Sequence, residues 1–301
     1  GDLLMGPDSR PRTVLLLTRG IDDMYRIVPV KGESFVVNGA HILSVKKTPL
    51  RSSASGRIYP SQVGGDIVNV SVIEYLAKSQ GFKHTHKLYR VPVEFREKPV
   101  SVDPYFLGVL LGDGSTTNGT LCVTKFDDEI RRECYRQAQK YGLRIREECR
   151  AGTKTVTYFF VPPEGRRRAK KSNPLRNVLL DLGLNGLKSG DKFVPEEYKA
   201  NSRAIRLEIL AGLLDTDAYC SNSAFEYSSK SKQLAEDVAF LARSLGLAAY
   251  IAVKPVDGRI YYRVHISGDC SMVPTRIKRK QALPDRKSTR LNSSHRAGSR
   301  M

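Results

Sequence analysis

The 301-residue chain carries 50 Lys and Arg against 31 Asp and Glu, a formal charge of +19, and 40% of its residues are hydrophobic. That balance supplies packed cores, excludes wholesale disorder, fits about two domains at roughly 100–200 residues each, and contains no run of ~18 apolar residues able to span a membrane. The charge favours a polyanionic partner, above all nucleic acid. Five Cys, at 122, 134, 149, 220 and 270, form no CxxC pair. An odd count without that spacing points away from a disulfide framework or a Cys-rich zinc site, and toward a reducing, intracellular compartment. No secretory leader is expected, because Gly1-Asp2-Leu3-Leu4 lacks a basic region followed by a long apolar stretch.

Residues 1–50 read as short strands. The runs at 14–17, 25–30, 34–37 and 41–45 are apolar or alternating, with Gly-, Pro- and Asp-bearing turns between them. The spacing predicts an all-β region. Residues 51–66, rich in Ser and Gly, predict a loop, and 71–95 fits helix or strand.

The character changes near residue 99. Asp103-Pro104 has the form of a helix start, Asp at the N-cap and Pro at the first helical position. The predicted helix runs through Leu111 and stops around Gly112-Asp113-Gly114. A second helix starts at Asn201-Ser202 and stops around Asp215-Thr216-Asp217. These segments are copies at an offset of 104: Gly108 maps to Gly212, Leu110 to Leu214 and Asp113 to Asp217. The offset continues without a gap, taking Glu133 to Asp237, Gly142-Leu143 to Gly246-Leu247 and Tyr158 to Tyr262. Each copy reads helix, two short strands, amphipathic helix, Gly-Leu turn, two strands. The strands are expected near 120–124, 144–148 and 155–161, and near 224–228, 249–253 and 260–266. Such a duplication predicts two half-domains about a pseudo-two-fold axis. The basic run 165–171 sits at the join, and 284–301 shows no periodicity and is expected to be disordered or foreign to the fold.

Gly108 and Gly112, four apart, share a helix face with small residues to match in Ala211 and Gly212, which permits close helix packing. Asp113 and Asp217 stand at helix C-termini, where the dipole disfavours negative charge. If the helices pair, the two carboxylates converge and call for a cation. Carboxylates with water and phosphate oxygens suit Mg²⁺, and such an ion can activate water and stabilise the leaving oxygen of a phosphodiester.

The stretches 106–114 and 210–218 resemble the two signature motifs of LAGLIDADG (DOD-type) homing endonucleases. The double arrangement is similar to those carried in inteins, and the resemblance covers roughly residues 100–275. It implies an α+β architecture: an all-β partial Hint domain (1–98), then a duplicated αββαββα endonuclease (99–283) with halves near 103–190 and 201–275. It further implies a monomer with an internal pseudo-dimer, whose two sheets straddle double-stranded DNA at a long asymmetric site. Mg²⁺, with Mn²⁺ as substitute, would be held by Asp113 and Asp217 together with the residues before them, Gly112 and Thr216. Asp191-Lys192-Phe193-Val194-Pro195 resembles the Lys-x-Ile-Pro block of the intein enzymes, whose lysine is associated with the catalytic site. That makes Lys192 the first basic catalytic residue, a cation near the scissile phosphate that would stabilise developing charge or perturb the attacking water. The matching group of the second half is sought before its last strand, where Lys254 and Arg259 stand and Arg259 falls nearest. Arg holds phosphate but accepts protons poorly. The alternative reading is a DNA-binding, or maturase-like RNA-binding, module without cleavage.

The first 12 residues and Val37-Asn38-Gly39-Ala40-His41 resemble the first two blocks of Hint splicing domains. His41 would assist the N-terminal acyl shift, with Asn38 in support. Splicing also needs a first-residue Cys or Ser and a terminal His-Asn pair. The sequence shows Gly1 and Arg300-Met301, so a truncated intein without splicing competence is expected.

Overall fold

The computed structural model describes residues 1–6, 8–29, 32–48, 50–52, 58–60, 65–117, 120–149, 152–163, 173–221, 223–283 and 295–297. The chain divides into two compact units, Gly1–Val91 with Arg286–Met301, and Pro92–Asp285. The boundary lies several residues before the expected 98/99 because the backbone from Val93 onward is bonded to the second unit. Val93 N donates to Ser244 O at 2.9 Å, and Asn201 brackets Lys98 with two bonds of 3.0 Å.

In the first unit, β1 (Leu3–Met5) and β2 (Pro11–Thr13) form a hairpin. β3 (Met24–Pro29) pairs with β4 (Phe35–Asn38), and β5 (Ile42–Lys47) pairs further along with a partner named below. β6 (Leu50–Ser52) and β7 (Ile58–Pro60) make a two-stranded ribbon. β8 (Ile67–Ser71) lies on one side of β5, and the short β9 (His86–Lys87) on the other. The alternation in β5 sends Leu43 and Val45 inward against Val70, Val72 and Tyr75.

The unit is not all-β. α1 (Val72–Ala77) and α2 (Gln80–Thr85) intervene between β8 and β9. Ser71 and Glu74 close a capping box on α1, and Ser79 caps α2, so local capping decides the ambiguous 71–95 stretch. Leu15, Leu16 and Leu17 form no strand and are exposed. From the tail, His295–Ala297 pairs with β3, where no regular element was expected; 284–294 and 298–301 lie outside the described residues, as does the basic run 165–171.

The second unit is the duplicated one. α3 (Pro104–Asp113) leads into β10 (Gly114–Ser115), β11 (Cys122–Lys125), α4 (Asp128–Lys140), β12 (Arg144–Cys149), β13 (Val156–Val161) and α5 (Pro174–Asp181). After α6 (Glu196–Lys199), α7 (Arg203–Asp217) leads into β14 (Ala218–Ser221), β15 (Ala224–Ser229), α8 (Lys232–Ser244), β16 (Ala248–Val256) and β17 (Arg259–Ser267). The two antiparallel sheets share one strand order, β10-β11-β13-β12 and β14-β15-β17-β16. α4 and α8 coincide under the offset of 104. The glycines that follow them, Gly142 and Gly246, both take positive φ (63° and 90°), the backbone turn that ends each helix.

Asp103 and Ser202 cap α3 and α7 as their sequence positions dictate, accepting from Phe106 N at 3.1 Å and Ile205 N at 3.5 Å. Residues Tyr105–Leu111 are buried all round. An all-apolar helix fits a central position, and α3 has one: it packs on α7 across the pseudo-two-fold and on β11 of its own half. The contact is backbone to backbone. A Cβ on Gly108 would lie 2.4 Å from Ile209 O, and one on Gly212 would lie 2.1 Å from Tyr105 O.

Arg206 anchors the far end of α7. It is fully buried, with Nε on Asn201 O (2.8 Å), Nη1 on Ser244 O and Oγ (3.0 and 2.7 Å) and Nη2 on Val93 O (2.5 Å). Truncation strands several buried acceptors at once. Arg206→Met is expected to cost about 3 kcal/mol, read as a lowered urea midpoint; an unchanged midpoint would refute this anchoring role.

Candidate active site

The close helix crossing brings the C-terminal ends of α3 and α7 together, and with them Asp113 and Asp217. A Cβ on Gly112 would lie 2.0 Å from Thr216 Oγ1 and 2.9 Å from Asp217 Oδ2, so the two helix ends touch at these residues. Asp217 is exposed at its surface, yet its carboxyl is pushed up to about 6, by burial first and then by the charge of Asp113. Lys125, Lys192 and Lys280 partly offset the shift.

Each helix end is closed by its own lysine. Lys192 Nζ donates to Leu110, Leu111, Gly112 and Gly114 carbonyls at 2.8–3.2 Å. Lys280 Nζ donates to Leu214, Asp215 and Thr216 carbonyls at 2.7–3.1 Å. A cation on the last carbonyls satisfies orphan acceptors and offsets the negative end of the dipole. Burial lowers both ammonium groups, Lys280 to about 8, which leaves Lys280 mostly cationic at neutral pH. A third lysine, Lys125 at the end of β11, lies 2.6 Å from Asp113 Oδ2 and donates to Thr216 O at 2.8 Å. Asp113 Oδ2 is buried and makes no aligned hydrogen bond.

The lysines arrive on two crossed straps. The chain leaving the first half carries Lys192 and docks on α8 of the second half. There Asp237 accepts from Val194 N (2.8 Å) and Lys199 Nζ (2.9 Å), and Ser231 Oγ donates to Lys192 O (2.7 Å). The chain leaving the second half carries Lys280 and docks on α4 of the first. There Glu133 pairs with Arg276 at 2.9 Å and Asp127 pairs with Arg279. Glu133 and Asp237, which the duplication relates, are thus the two buried anchors. Asp215 fastens the second strap, accepting from Arg276 N at 2.6 Å, Ile277 N at 3.4 Å and Tyr105 OH at 2.8 Å.

Of the residues singled out in the sequence, the fold brings Gly112, Asp113, Lys192, Thr216 and Asp217 to one place. It does not bring Arg259 there. Arg259 opens β17 opposite Val256 at the exposed hairpin tip, roughly 17 Å along the strand from Val264, which pairs with Tyr227 beside the site. Lys254, the other candidate, is also exposed on that hairpin. The group beside α7 is Lys280, which lies after the last strand, not before it. The signal that could have found it is that Lys192 also follows the last strand of its half. Repeat arithmetic could not, since the offset carries Lys192 to Arg296. The second half has 3₁₀ turns at 270–272 and 278–280 where the first has α5, so the strap is shorter. Lys125 was also missed; its image under the offset is Ser229.

Among the described residues no group of three or more His, Cys, Asp or Glu is placed to bind a metal. The donors at the helix ends are instead two carboxylates with backbone carbonyls, an all-oxygen set of the kind hard cations prefer. Asp113 Oδ2, buried with only the Lys125 ammonium against it, and Asp217, raised by burial and then by the charge of Asp113, fit a divalent cation. In the first unit, Asn38 and His41 flank the turn between β4 and β5, where His41 N donates to Asn38 O at 3.3 Å. Asn38 Nδ2 donates to Asp22 Oδ2 at 3.0 Å, and the His41 side chain is exposed. Among the described residues no helix is long and apolar enough to cross a membrane.

Comparison with known proteins places the second repeat in a family: residues 204–273 match the model described as a LAGLIDADG-like domain. The full chain aligns at 26% identity with 48% of the replicative DNA helicase DnaB of Mycobacterium intracellulare. Half of it aligns at 24% identity with 28% of the homothallic switching endonuclease of Saccharomyces cerevisiae. The chain thus spans less than half the length of either relative. Among solved structures, that of I-DmoI in complex with DNA and Mn is similar at 14% identity and a TM-score of 0.39, over 55% of this chain and 88% of that one.

Proposed function

Since the chain carries a LAGLIDADG homing endonuclease domain, we propose that it is a divalent-metal-dependent, site-specific DNA endonuclease of intein origin, with Asp113 and Asp217 as its metal-holding carboxylates. The observation that carries this is the convergence of the two carboxylates at the crossed helix ends, where Gly112 abuts Thr216 and Asp217 and the charge of Asp113 adds to burial in raising Asp217. Isolated surface Asp residues would not be placed so.

Mg²⁺, or Mn²⁺ in its place, would be held by Asp113 and Asp217 with the carbonyls at Gly112 and Thr216, and supplies Lewis-acid polarisation of a phosphate and a water of lowered pKa. Lys192 and Lys280 hold the helix-end carbonyls in place and keep a positive potential beside the carboxylates. That potential favours the extra negative charge of a phosphorane-like transition state. Lys280 takes the role that sequence reasoning gave to Arg259. Arg259 shares the solvent face of its sheet with Tyr261, Arg263 and His265, and there it would meet DNA phosphates or base edges. The first unit would be the splicing portion of the intein, with His41 and Asn38 in its splicing site, and the alignment with a DnaB helicase suggests a host of that kind.

The test is cleavage of a plasmid bearing an uninterrupted DnaB-type coding sequence in Mg²⁺. Linearisation at one site supports the reading, and tight salt-sensitive binding without nicking in Mg²⁺ or Mn²⁺ refutes cleavage. The rate should also rise with pH through about 6, as Asp217 loses its proton, and level off before Lys280 discharges near 8. A rate that is flat from pH 5 to 7 would contradict Asp217's role.

A further inference from the structure

One side chain beside the paired carboxylates has no counterpart in the other half. Under the duplication Asp113 matches Asp217, and Lys192 and Lys280 each close the helix of their own half. Lys125 has no such counterpart: its position in the second half is Ser229, whose Oγ accepts from Ser231 N at 3.0 Å.

Lys125 also differs in what it touches. The other two ammonium groups bond helix carbonyls. Lys125 Nζ lies 2.6 Å from the Asp113 carboxylate and bonds the Thr216 carbonyl of the opposite helix at 2.8 Å. Its side chain is only 13% exposed, so the pairing is little screened by solvent. Those two oxygens belong to the set that would receive a metal ion.

We propose that Lys125 is a built-in cation that competes with divalent metal for Asp113, making the Asp113 half of the site the weaker metal binder in DNA-free protein. The inference rests on the metal-dependent reading above. A unit charge against a carboxylate and a carbonyl must be displaced before another cation can use them, and at short range in a partly buried site such a competition is strong. Among the described residues no cation pairs directly with Asp217 as Lys125 does with Asp113, so the two halves load unequally.

The test is Mn²⁺ binding to the full chain without DNA, followed by the electron paramagnetic resonance of free Mn²⁺. Lys125→Met is expected to bind Mn²⁺ roughly tenfold more tightly than wild type, and Lys125→Arg to stay near wild type, because it keeps the competing charge. The gain should vanish when Asp113→Asn is added to Lys125→Met. Wild-type-like or weaker binding by Lys125→Met overturns the proposal, as does an equal gain in the Asp113→Asn background, which would mark a general field effect. If neither wild type nor Lys125→Met binds Mn²⁺, the metal-dependent reading falls and takes the proposal with it. Thermal melts of each variant establish that the fold is retained.

Discussion

Asp113→Asn and Asp217→Asn are each expected to slow DNA cleavage about a thousandfold or more while leaving DNA affinity within a few-fold of wild type. The reason is the division of labour in the structure. The carboxylates lie at the helix ends, whereas the exposed residues of the two sheets, such as Arg146, Arg259 and His265, are on other elements. On the proposed metal-holding role, removing one of these carboxylates forfeits several kcal/mol of transition-state stabilisation, and about 4 kcal/mol is a thousandfold in rate. The Asp217 variant carries a second signature. The carboxyl is raised from 3.8 to about 6 in the folded protein, so the fold binds a proton there that the unfolded chain gives up between those values. Wild type therefore loses stability as pH rises from about 4 through 6, and the cost persists above that range. Asp217→Asn lacks the charge and should melt a few degrees higher than wild type at pH 8, with the difference gone near pH 4. An inactive variant that melts lower at pH 8 would mean that activity was lost through misfolding, and the assignment would fail. Cleavage at the wild-type rate would refute it directly.

Gly212→Val is expected to cost more than about 4 kcal/mol or to prevent the second unit from folding. A Cβ there would lie 2.1 Å from Tyr105 O and 3.0 Å from Val109 N, both backbone atoms of the facing helix. Backbone cannot rotate aside as a side chain can, so α3 and α7 must separate. That separation strips contact from a core in which Tyr105, Phe106, Val109, Leu210, Leu213 and Leu214 are all essentially buried, and it pulls the two Asp-bearing helix ends apart. Gly190→Ala serves as the control: the nearest atom to its Cβ is in the flexible Lys230 side chain at 3.9 Å, and its melting point should scarcely move. Urea denaturation followed by circular dichroism reads both. A Gly212→Val protein with a wild-type midpoint would show that the helices do not cross as closely as described.

What was legible in the sequence follows from what repeats. The offset of 104 located both central helices, both amphipathic helices and most strands, because apolar periodicity and the positive-φ glycines survive in both copies. The short strands β10 and β14, which directly follow the Asp residues, carry too few residues to show alternation. Lys280 was hidden because the straps differ in length, so the duplication does not extend to them. Arg259 was favoured by position along the chain, whereas the sheet register sends it to the hairpin tip. In the first unit, Leu15 to Leu17 have the composition of a strand but no partner strand, and Ser71 and Ser79 turned an ambiguous stretch into helix by capping.

The crossed straps bear on how such an enzyme could be recombined. Each half receives its lysine on chain that is anchored to the opposite half, through Asp237 for Lys192 and Glu133 for Lys280. A chimera that exchanged residues 103–190 alone would leave the incoming helix end to a resident strap and the resident strap to a foreign anchor. The transferable module is therefore a half-domain together with the strap that docks on it, and a chain cut between Pro163 and Asn173 would yield fragments that clasp one another through Arg276 on Glu133 and Lys192 on the end of α3.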